Sequence, residues 1–423
     1  MLEAYRKTTE EMLSFIKKSP SAFHAVDNIS KDLSKEGFIE LHEEQAWELE
    51  MGKGYYVVRN DSSIIAFTLP EEALGFHIVA SHSDSPAFKI KENPEMKKEE
   101  YVTLNTEKYG GMILSSWMDR PLSIAGRLAV LEKGKIITKL VHIDHTLVVI
   151  PNLAIHMNRD MNKGIEYNPQ VDMLPLFSGK DGCTLLSLMA KEANVEESDI
   201  IGHDLFLCVN EDTYFCGAAE EFILSPRLDD LQCVYASYKA FKESKGKDYV
   251  NVCAVFDNEE VGSATRQGAD STFLRDVLGR ISCGIWKEQK GLAQAAQQSF
   301  LISADNAHGV HPNHPEKADP TNRPYLNGGL VIKYHGSQKY TTDGVSAAKM
   351  KAWCKKAEVP VQTYANRSDI LGGSTLGNIS ATQISIPSVD VGLPQLAMHS
   401  AMETAGAMDT EYAVRAFKAF YEE

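Results

Sequence analysis

The apolar positions of this chain follow two different rhythms, and the change between them divides it. Near the N-terminus, Met12-Leu13 and Phe15-Ile16 recur at near-helical spacing among charges of both signs, which predicts an amphipathic helix in MLEAYRKTTEEMLSFIKKSP. Tyr55 to Val58 and Ile64 to Phe67 read as strands. Short continuous apolar runs follow: FHIVA (Phe76 to Ala80), VNVCAVF (Val250 to Phe256), FLISA (Phe300 to Ala304) and ISIPSVDVG. Each leads into a polar cluster, respectively SHSDSPAF, DNEEVGS, DNAHGVHPN and, after a short loop, QLAMHS. Such runs suit strands buried on both faces, and open α/β sheets carry their sites outside the carboxyl ends of strands. Helix-like segments lie between them: Leu231 to Glu243, Thr272 to Gly279, Asp343 to Glu358 and Gly373 to Ala381, with Asp409 placed to cap a last helix, Thr410 to Tyr421. The pattern predicts an α/β fold with a mixed, mostly parallel sheet sandwiched by helices.

From residue 91 to 217 the texture is different. Short strands alternate with turn signals such as Tyr109-Gly110-Gly111 and Lys133-Gly134-Lys135, and no long helix is expected before Cys183 to Ala193. We read this stretch as a β-rich domain inserted into an α/β domain made of residues 1–90 and 218–423. A length of 423 residues fits that division.

Composition narrows the picture. No apolar run approaches the roughly 18–20 residues that cross a bilayer, and the N-terminus lacks the short apolar core of a signal peptide. Lys+Arg of 43 against Asp+Glu of 58 leaves a formal charge of −15, which argues against nucleic acid and anionic membranes as partners. The seven cysteines are odd in number and form no CxxC pair, so a reducing, cytoplasmic setting is expected.

The polar clusters carry the candidate chemistry. A hydrolytic two-metal site needs about five side-chain ligands, one carboxylate bridging the ions, and one further carboxylate to take a proton from the bridging water. The candidates are His82 and Asp84, Asp229 and Asp230 in RLDDL, Asp257, Glu259 and Glu260, Asp305 and His308, and His399. Singly, each has a plainer reading: a hydrogen-bonded histidine, a helix cap, a solvated acidic turn. Together, at the ends of buried strands, they point to metal. Adjacent side chains at a strand end point different ways, so one of Glu259 and Glu260 can ligate while the other acts as a base. Asp84, two residues after His82, is placed to orient the imidazole. No GxSxG, GxxxxGK[ST] or HExxH motif offers another chemistry.

Long ordered motifs also carry a resemblance: FIKKSPSAFHAV, HSDSPAFKIK, YGGMILSSWMDRPLSIAGRL, IPNLAIHMNRDMN, SPRLDDL, FDNEEVGS, SADNAHGVHPNHPEK, GGLVIKYHGSQKY and PQLAMHSAMETAG. Nearly end to end, the chain resembles the metallopeptidase family that includes aspartyl aminopeptidase and vacuolar aminopeptidase I. The resemblance implies a zinc-exopeptidase-like fold and an aminopeptidase holding two divalent ions per subunit, Zn²⁺ with Co²⁺ or Mn²⁺ as alternatives. His82, bridging Asp229 and Asp305 would hold one ion; Asp229, Glu260 and His399 would hold the other; Glu259 would be the general base. His308, Lys333 and Tyr340 match substrate-contacting positions, and His156 matches a histidine that enters the partner subunit's site. It further implies dimers built through the insertion and assembled into a tetrahedral dodecamer.

A buried Lys333 beside two metals would call for an anion, so peptides beginning with Asp or Glu are the expected substrates. A broad-specificity aminopeptidase and a related amidohydrolase or deacylase are the alternatives. The chain departs from the family at Asp230, where RLDN is usual, and after His399, where AMHSIRE is usual. Both departures bear on metal preference and substrate range.

Overall fold

The structure is a computed structural model and describes residues 2–286, 291–370, 372–373 and 375–423. Its largest sheet comprises, in chain order, β1 (Ile39–Glu40), β2 (Gly54–Arg59), β3 (Ser63–Thr68), β4 (Gly75–His82), β5 (Tyr249–Phe256), β6 (Phe300–Ala304), β7 (Leu330–Tyr334), β8 (Val361–Ala365) and β9 (Ser388–Gly392). They lie side by side as β1-β2-β3-β5-β4-β6-β9-β7-β8. The central run β5-β4-β6-β9 is parallel throughout. The pairs β1-β2 and β7-β8 are also parallel, whereas β2-β3, β3-β5 and β9-β7 are antiparallel. The sheet is thus mixed and mostly parallel, as the apolar runs predict.

Every residue of β4 is buried. A strand covered on both faces must be apolar on both, and that is why FHIVA shows no alternation. One covering layer is rich in aromatic residues from the helices Leu228–Glu243 and Asp409–Tyr421, among them Phe241, Phe417 and Phe420. The other packs the helix Phe273–Trp286 against Phe67, Phe76 and Phe256. Register aligns Phe256 with His82 and Ser303 with Ala80. The loops that follow these strands therefore leave the sheet at one edge, side by side.

By internal contacts the chain forms two units. The first is Met1–Asp84, Thr213–Met398 and Glu403–Glu423; the second is Ser85–Asp212 with His399–Met402. The boundaries differ from the expected 90/91 and 217/218. The six-stranded sheet of the second unit already begins with the strand Ala87–Lys98. At the other end, Tyr214–Cys216 pairs with Phe222–Ser225 in a five-stranded sheet of the first unit. The second unit's sheet is antiparallel at every junction, and its helix spans Leu185–Ala193.

The expected helices recur with shifted ends. Asp343 caps Gly344–Lys356 through a capping box with Ser346. Ser374, inside the expected helix Gly373 to Ala381, lies outside the described residues, and the observed helix is Leu376–Gln383. Asp409 is not a cap. It is fully buried as the first helical residue, and its carboxylate accepts the backbone N–H groups of Asn327 (2.7 Å) and Gly329 (3.0 Å). Among the described residues no helix is long and apolar enough to cross a membrane.

One buried histidine lies in the sheet away from the polar clusters. His77 on β4 is stacked between Tyr249 (ring centroids 3.7 Å apart) and Phe420 (4.3 Å). Burial is the main reason its imidazole stays neutral, with a pKa pushed down to about 3; the Phe420 backbone pulls it up and Lys349 lowers it further. The unfolded chain binds this proton below about pH 6.5, so the associated stability is complete above that pH and is lost progressively as pH falls toward 3. Replacing the ring by Phe keeps the stack and removes the proton site. Between pH 7.5 and 5, wild type is expected to lose about 2 kcal/mol more stability than His77→Phe, read as urea midpoints of both proteins across that range. Equal pH slopes would contradict a neutral His77.

Candidate metal centre

His82 ends β4 with its side chain 1% exposed. Its Nε2 lies 3.4 Å from Asp229 Oδ1 and 3.8 Å from Asp305 Oδ1. The other nitrogen, Nδ1, is 3.1 Å from the Asp84 carbonyl and 3.3 Å from Asp84 Oδ1. The Nδ1 edge of the ring is thereby engaged by Asp84, and Nε2 is aimed at two carboxylates. Metal-ligating histidines are oriented in this way. Potential ligand atoms of His82, Asp229, Asp230 and Asp305 lie within 4.8 Å of one another, and so do those of His82, Glu259 and Glu260.

Asp84 does more than orient the imidazole. Its Oδ1 accepts the Glu259 N–H and its Oδ2 accepts the Glu260 N–H, each at 3.1 Å. The chain reaches these glutamates through Asn258, which takes the left-handed conformation (φ 62°), and they then start a 3₁₀ turn, Glu259–Val261. The turn separates the two side chains, in place of the strand alternation that the sequence led us to expect. Asp305 follows β6, where Gly392 of β9 passes so close that a Cβ there would sit 2.0 Å from the Asp305 carbonyl oxygen. Only glycine permits that approach.

Asp230 is fully buried, and its Oδ2 accepts the His82 N–H at 3.1 Å. The sequence marked its extra charge but not this contact, which joins residues far apart in the chain. Burial pushes the Asp230 carboxyl well above its ordinary range; Asp305 and Asp229 add to the rise, and His82 opposes it. Burial likewise pushes Glu259 up to about 8, with His82 opposing and Asp305, Glu260 and Asp84 adding. Burial opposes charge on His82 too, yet Asp230, Asp229, Asp305 and Asp84 hold it well above its usual value. So dense a set of buried acids calls for cations, and imidazole with carboxylate oxygens is a donor set suited to Zn²⁺, Co²⁺ or Mn²⁺.

The remaining candidates are less uniform. Lys333 is 2% exposed; its Nζ donates to Asp305 Oδ2 (3.2 Å) and to the Asn306 carbonyl (3.0 Å) and lies 5.4 Å from the Tyr340 ring centre. Its ammonium already has an anion, so the need for a substrate carboxylate does not follow from its burial. Tyr340 is buried, with its ring edge-on to His335. His308 is exposed and lines a cavity of about 250 Å³ with Tyr364, Asn366 and Arg367. In the second unit, His399 takes a left-handed backbone (φ 67°), and its Nδ1 lies 2.8 Å from the Gly111 carbonyl oxygen. His156 is exposed there between Ile155 and Met157, the latter 76% exposed.

Comparison with known proteins agrees with this chemistry. Residues 15–421 match the family described as aminopeptidase I zinc metalloprotease (M18). A relative from Clostridium novyi (strain NT), named "Probable M18 family aminopeptidase 2", is 50% identical over 430 residues, covering 98% of each chain. One from Ricinus communis, named "Probable aspartyl aminopeptidase", is 36% identical, covering 98% of this chain and 94% of its own. Among solved structures, the S. cerevesiae mApe1 dodecamer superposes with a TM-score of 0.88 at 28% identity, covering 99% of this chain and 97% of that one.

The Asp84 clamp has a direct consequence. Its two oxygens accept two N–H groups, whereas an amide offers one acceptor, so Asp84→Asn leaves one glutamate N–H facing an amide donor. That variant is expected to fold and to lose roughly 10- to 100-fold in metal affinity or turnover. Wild-type metal retention and turnover in Asp84→Asn would show that the clamp is dispensable.

Proposed function

The chain belongs to the aminopeptidase I zinc metalloproteases (M18), and from that premise we propose that it removes N-terminal residues from peptides at a centre of two divalent ions, with Glu259 as general base. The observation that carries this reading is the buried His82–Asp229–Asp305 cluster beside a glutamate pair held by Asp84. His82, Asp229 and Asp305 would hold one ion, and Asp229, Glu260 and His399 the other. For His399, the contact of Nδ1 with Gly111 leaves Nε2 as the coordinating atom. Two such ions, Zn²⁺ foremost, would supply Lewis acidity toward the scissile carbonyl and acidify a water.

The chain's own part is proton handling and placement. Glu259 takes a proton from the attacking water as its oxygen bonds to the peptide carbonyl carbon. It then returns that proton to the amine nitrogen as the carbon–nitrogen bond breaks. The Asp84 clamp fixes the peptide that carries Glu259, so the carboxylate needs little reorganisation.

For specificity we propose a preference for N-terminal Asp or Glu, supported by the name of the Ricinus communis relative and by the position of Lys333 beside Asp305. A broad-specificity enzyme is the second reading, favoured by the same ion pair, because an ammonium already satisfied by Asp305 has less to offer a substrate carboxylate. For assembly we propose that the second unit, residues 85–212, mediates dimers within a tetrahedral dodecamer, with His156 acting in the partner's site. Exposed Leu153, Ile155 and Met157 flanking that histidine in the chain support a face that a second copy covers.

Glu259→Gln is expected to keep its metals and its assembly while turnover falls by roughly two to four orders of magnitude. Near-normal turnover in a metal-replete variant would move the base elsewhere. Values of kcat/KM for Asp-, Glu-, Asn- and Leu-initiated substrates separate the two specificities. The acidic reading expects Asp and Glu to be fastest and Lys333→Met to penalise those two selectively. The broad reading expects Leu to match or exceed Asp, and Lys333→Met to slow every substrate alike through Asp305. Mixing His156→Ala chains with Glu259→Gln chains should restore partial activity in hybrids; its absence in hybrids shown to form would rule out a shared site.

A further inference from the structure

Behind the metal-side carboxylates runs a buried line of polar side chains that the reaction as described does not use. The Asp229 N–H donates to Glu403 Oε2 at 3.0 Å, and Gln395 Nε2 donates to Glu403 Oε1 at 3.3 Å. Gln395 Oε1 accepts from Asn306 Nδ2 at 2.7 Å. The same Nδ2 reaches the Leu228 carbonyl (3.0 Å) and Gln232 Oε1 (3.2 Å). The Asn306 carbonyl accepts from Lys333 Nζ, whose other bond goes to Asp305. Glu403, Gln395, Asn306 and Lys333 are each at most 2% exposed. The line therefore starts at the backbone of Asp229 and ends at the carboxylate of Asp305.

We propose that Glu403, acting through Gln395 and Asn306, is a positioning residue that sets the bridging carboxylate Asp229 relative to Asp305. The inference rests on the two-ion reading above. The direction of the hydrogen bonds carries it. Both Glu403 oxygens accept, so position 403 needs a group with two acceptors and no donor, which only a carboxylate provides. Asn306 Nδ2 must donate to Gln395, which orients the Gln395 amide and leaves its own Nε2 for Glu403. No link can be reversed without placing two donors or two acceptors face to face, and in a buried site such a mismatch is costly. The carboxylate's Oε2 is satisfied by a main-chain donor, the Asp229 N–H, at the start of Leu228–Glu243. Asp229 itself departs from helical geometry (φ −82°, ψ 109°), so the turn alone does not fix its direction. The bond to Glu403 supplies that constraint.

The test compares wild type with Glu403→Gln and Gln395→Met in the full-length assembly. Glu403→Gln turns an amide donor toward Gln395, and Gln395→Met removes the middle link at similar volume. Zn²⁺ affinity is measured by competition with a chelator, the visible spectrum by Co²⁺ loading, and kcat and KM separately. Each variant is expected to bind Zn²⁺ roughly 10- to 100-fold more weakly or to lose a similar factor in kcat, with KM nearly unchanged and an altered Co²⁺ spectrum. The double variant should lose little more than either single one, because both break one line. Should Glu403→Gln fail to fold, Gln395→Met alone decides the question. A change confined to melting temperature, with Zn²⁺ affinity, Co²⁺ spectrum and kcat as in wild type, overturns the inference alone. A wild type that binds no Zn²⁺ or Co²⁺ overturns the two-ion reading and this inference with it.

Discussion

The structure turns on the cost of burying carboxylates close together. Asp84, Asp229, Asp230, Glu259, Glu260 and Asp305 converge around one histidine, and of these Asp305 forms an ion pair with Lys333. Like charges in a poorly hydrated site repel and resist ionisation, and the raised Asp230 and Glu259 carboxyls express that resistance. The folded chain bears it because the aromatic layers on both faces of the large sheet provide burial elsewhere. Divalent cations bound there would relieve the repulsion directly, so the proposed centre would be most stable when loaded.

Holding such a set in place falls to hydrogen bonds and an ion pair within the chain. The Glu259 and Glu260 backbones are tied to Asp84, the His82 backbone to Asp230, the Asp229 backbone to Glu403, and the Asp305 side chain to Lys333. In each case the anchor is a main-chain N–H or a buried side chain, not a solvated group. The parallel core makes this arrangement possible: β5, β4 and β6 run the same way in close register, so their exits meet at one edge. An antiparallel order would have delivered alternate clusters to opposite edges.

This division explains what could be read from the sequence. The strands ending at His82 and preceding Glu259 and Asp305 were legible because two-sided burial demands continuous apolar runs, and the polar residues that break them stand out. The supporting residues were not legible in the same way. Asp230, Gln395 and Glu403 meet their partners across long stretches of chain, and nothing local distinguishes a buried Gln395 from a solvated one. Asp409 shows the converse failure: an acidic residue opening a helix looks like a cap, but its side chain turns inward to the Asn327 and Gly329 amides. The glutamate pair was found for a partly mistaken reason, since a left-handed Asn258 and a 3₁₀ turn, not strand alternation, part the side chains.

Lys333 shows how the same constraint reshapes a functional argument. From sequence, a buried ammonium near metal ions implies a missing anion, and a substrate carboxylate is the natural supply. In the structure the surplus runs the other way: the site has carboxylates to spare, and one of them, Asp305, takes the lysine. The ammonium then lowers the negative charge that Asp305 presents and holds its Oδ2 to one side, leaving Oδ1 toward His82. Any role in choosing substrates must act through that pair, with a substrate carboxylate sharing a cation already engaged. Selectivity built on a shared cation is weaker than selectivity built on an unmatched one, because the competitor substrate does not leave a buried charge exposed to an apolar void. On the proposed two-ion reading, the acidic residues that would hold metal would also limit how sharply the centre could discriminate among N-terminal side chains.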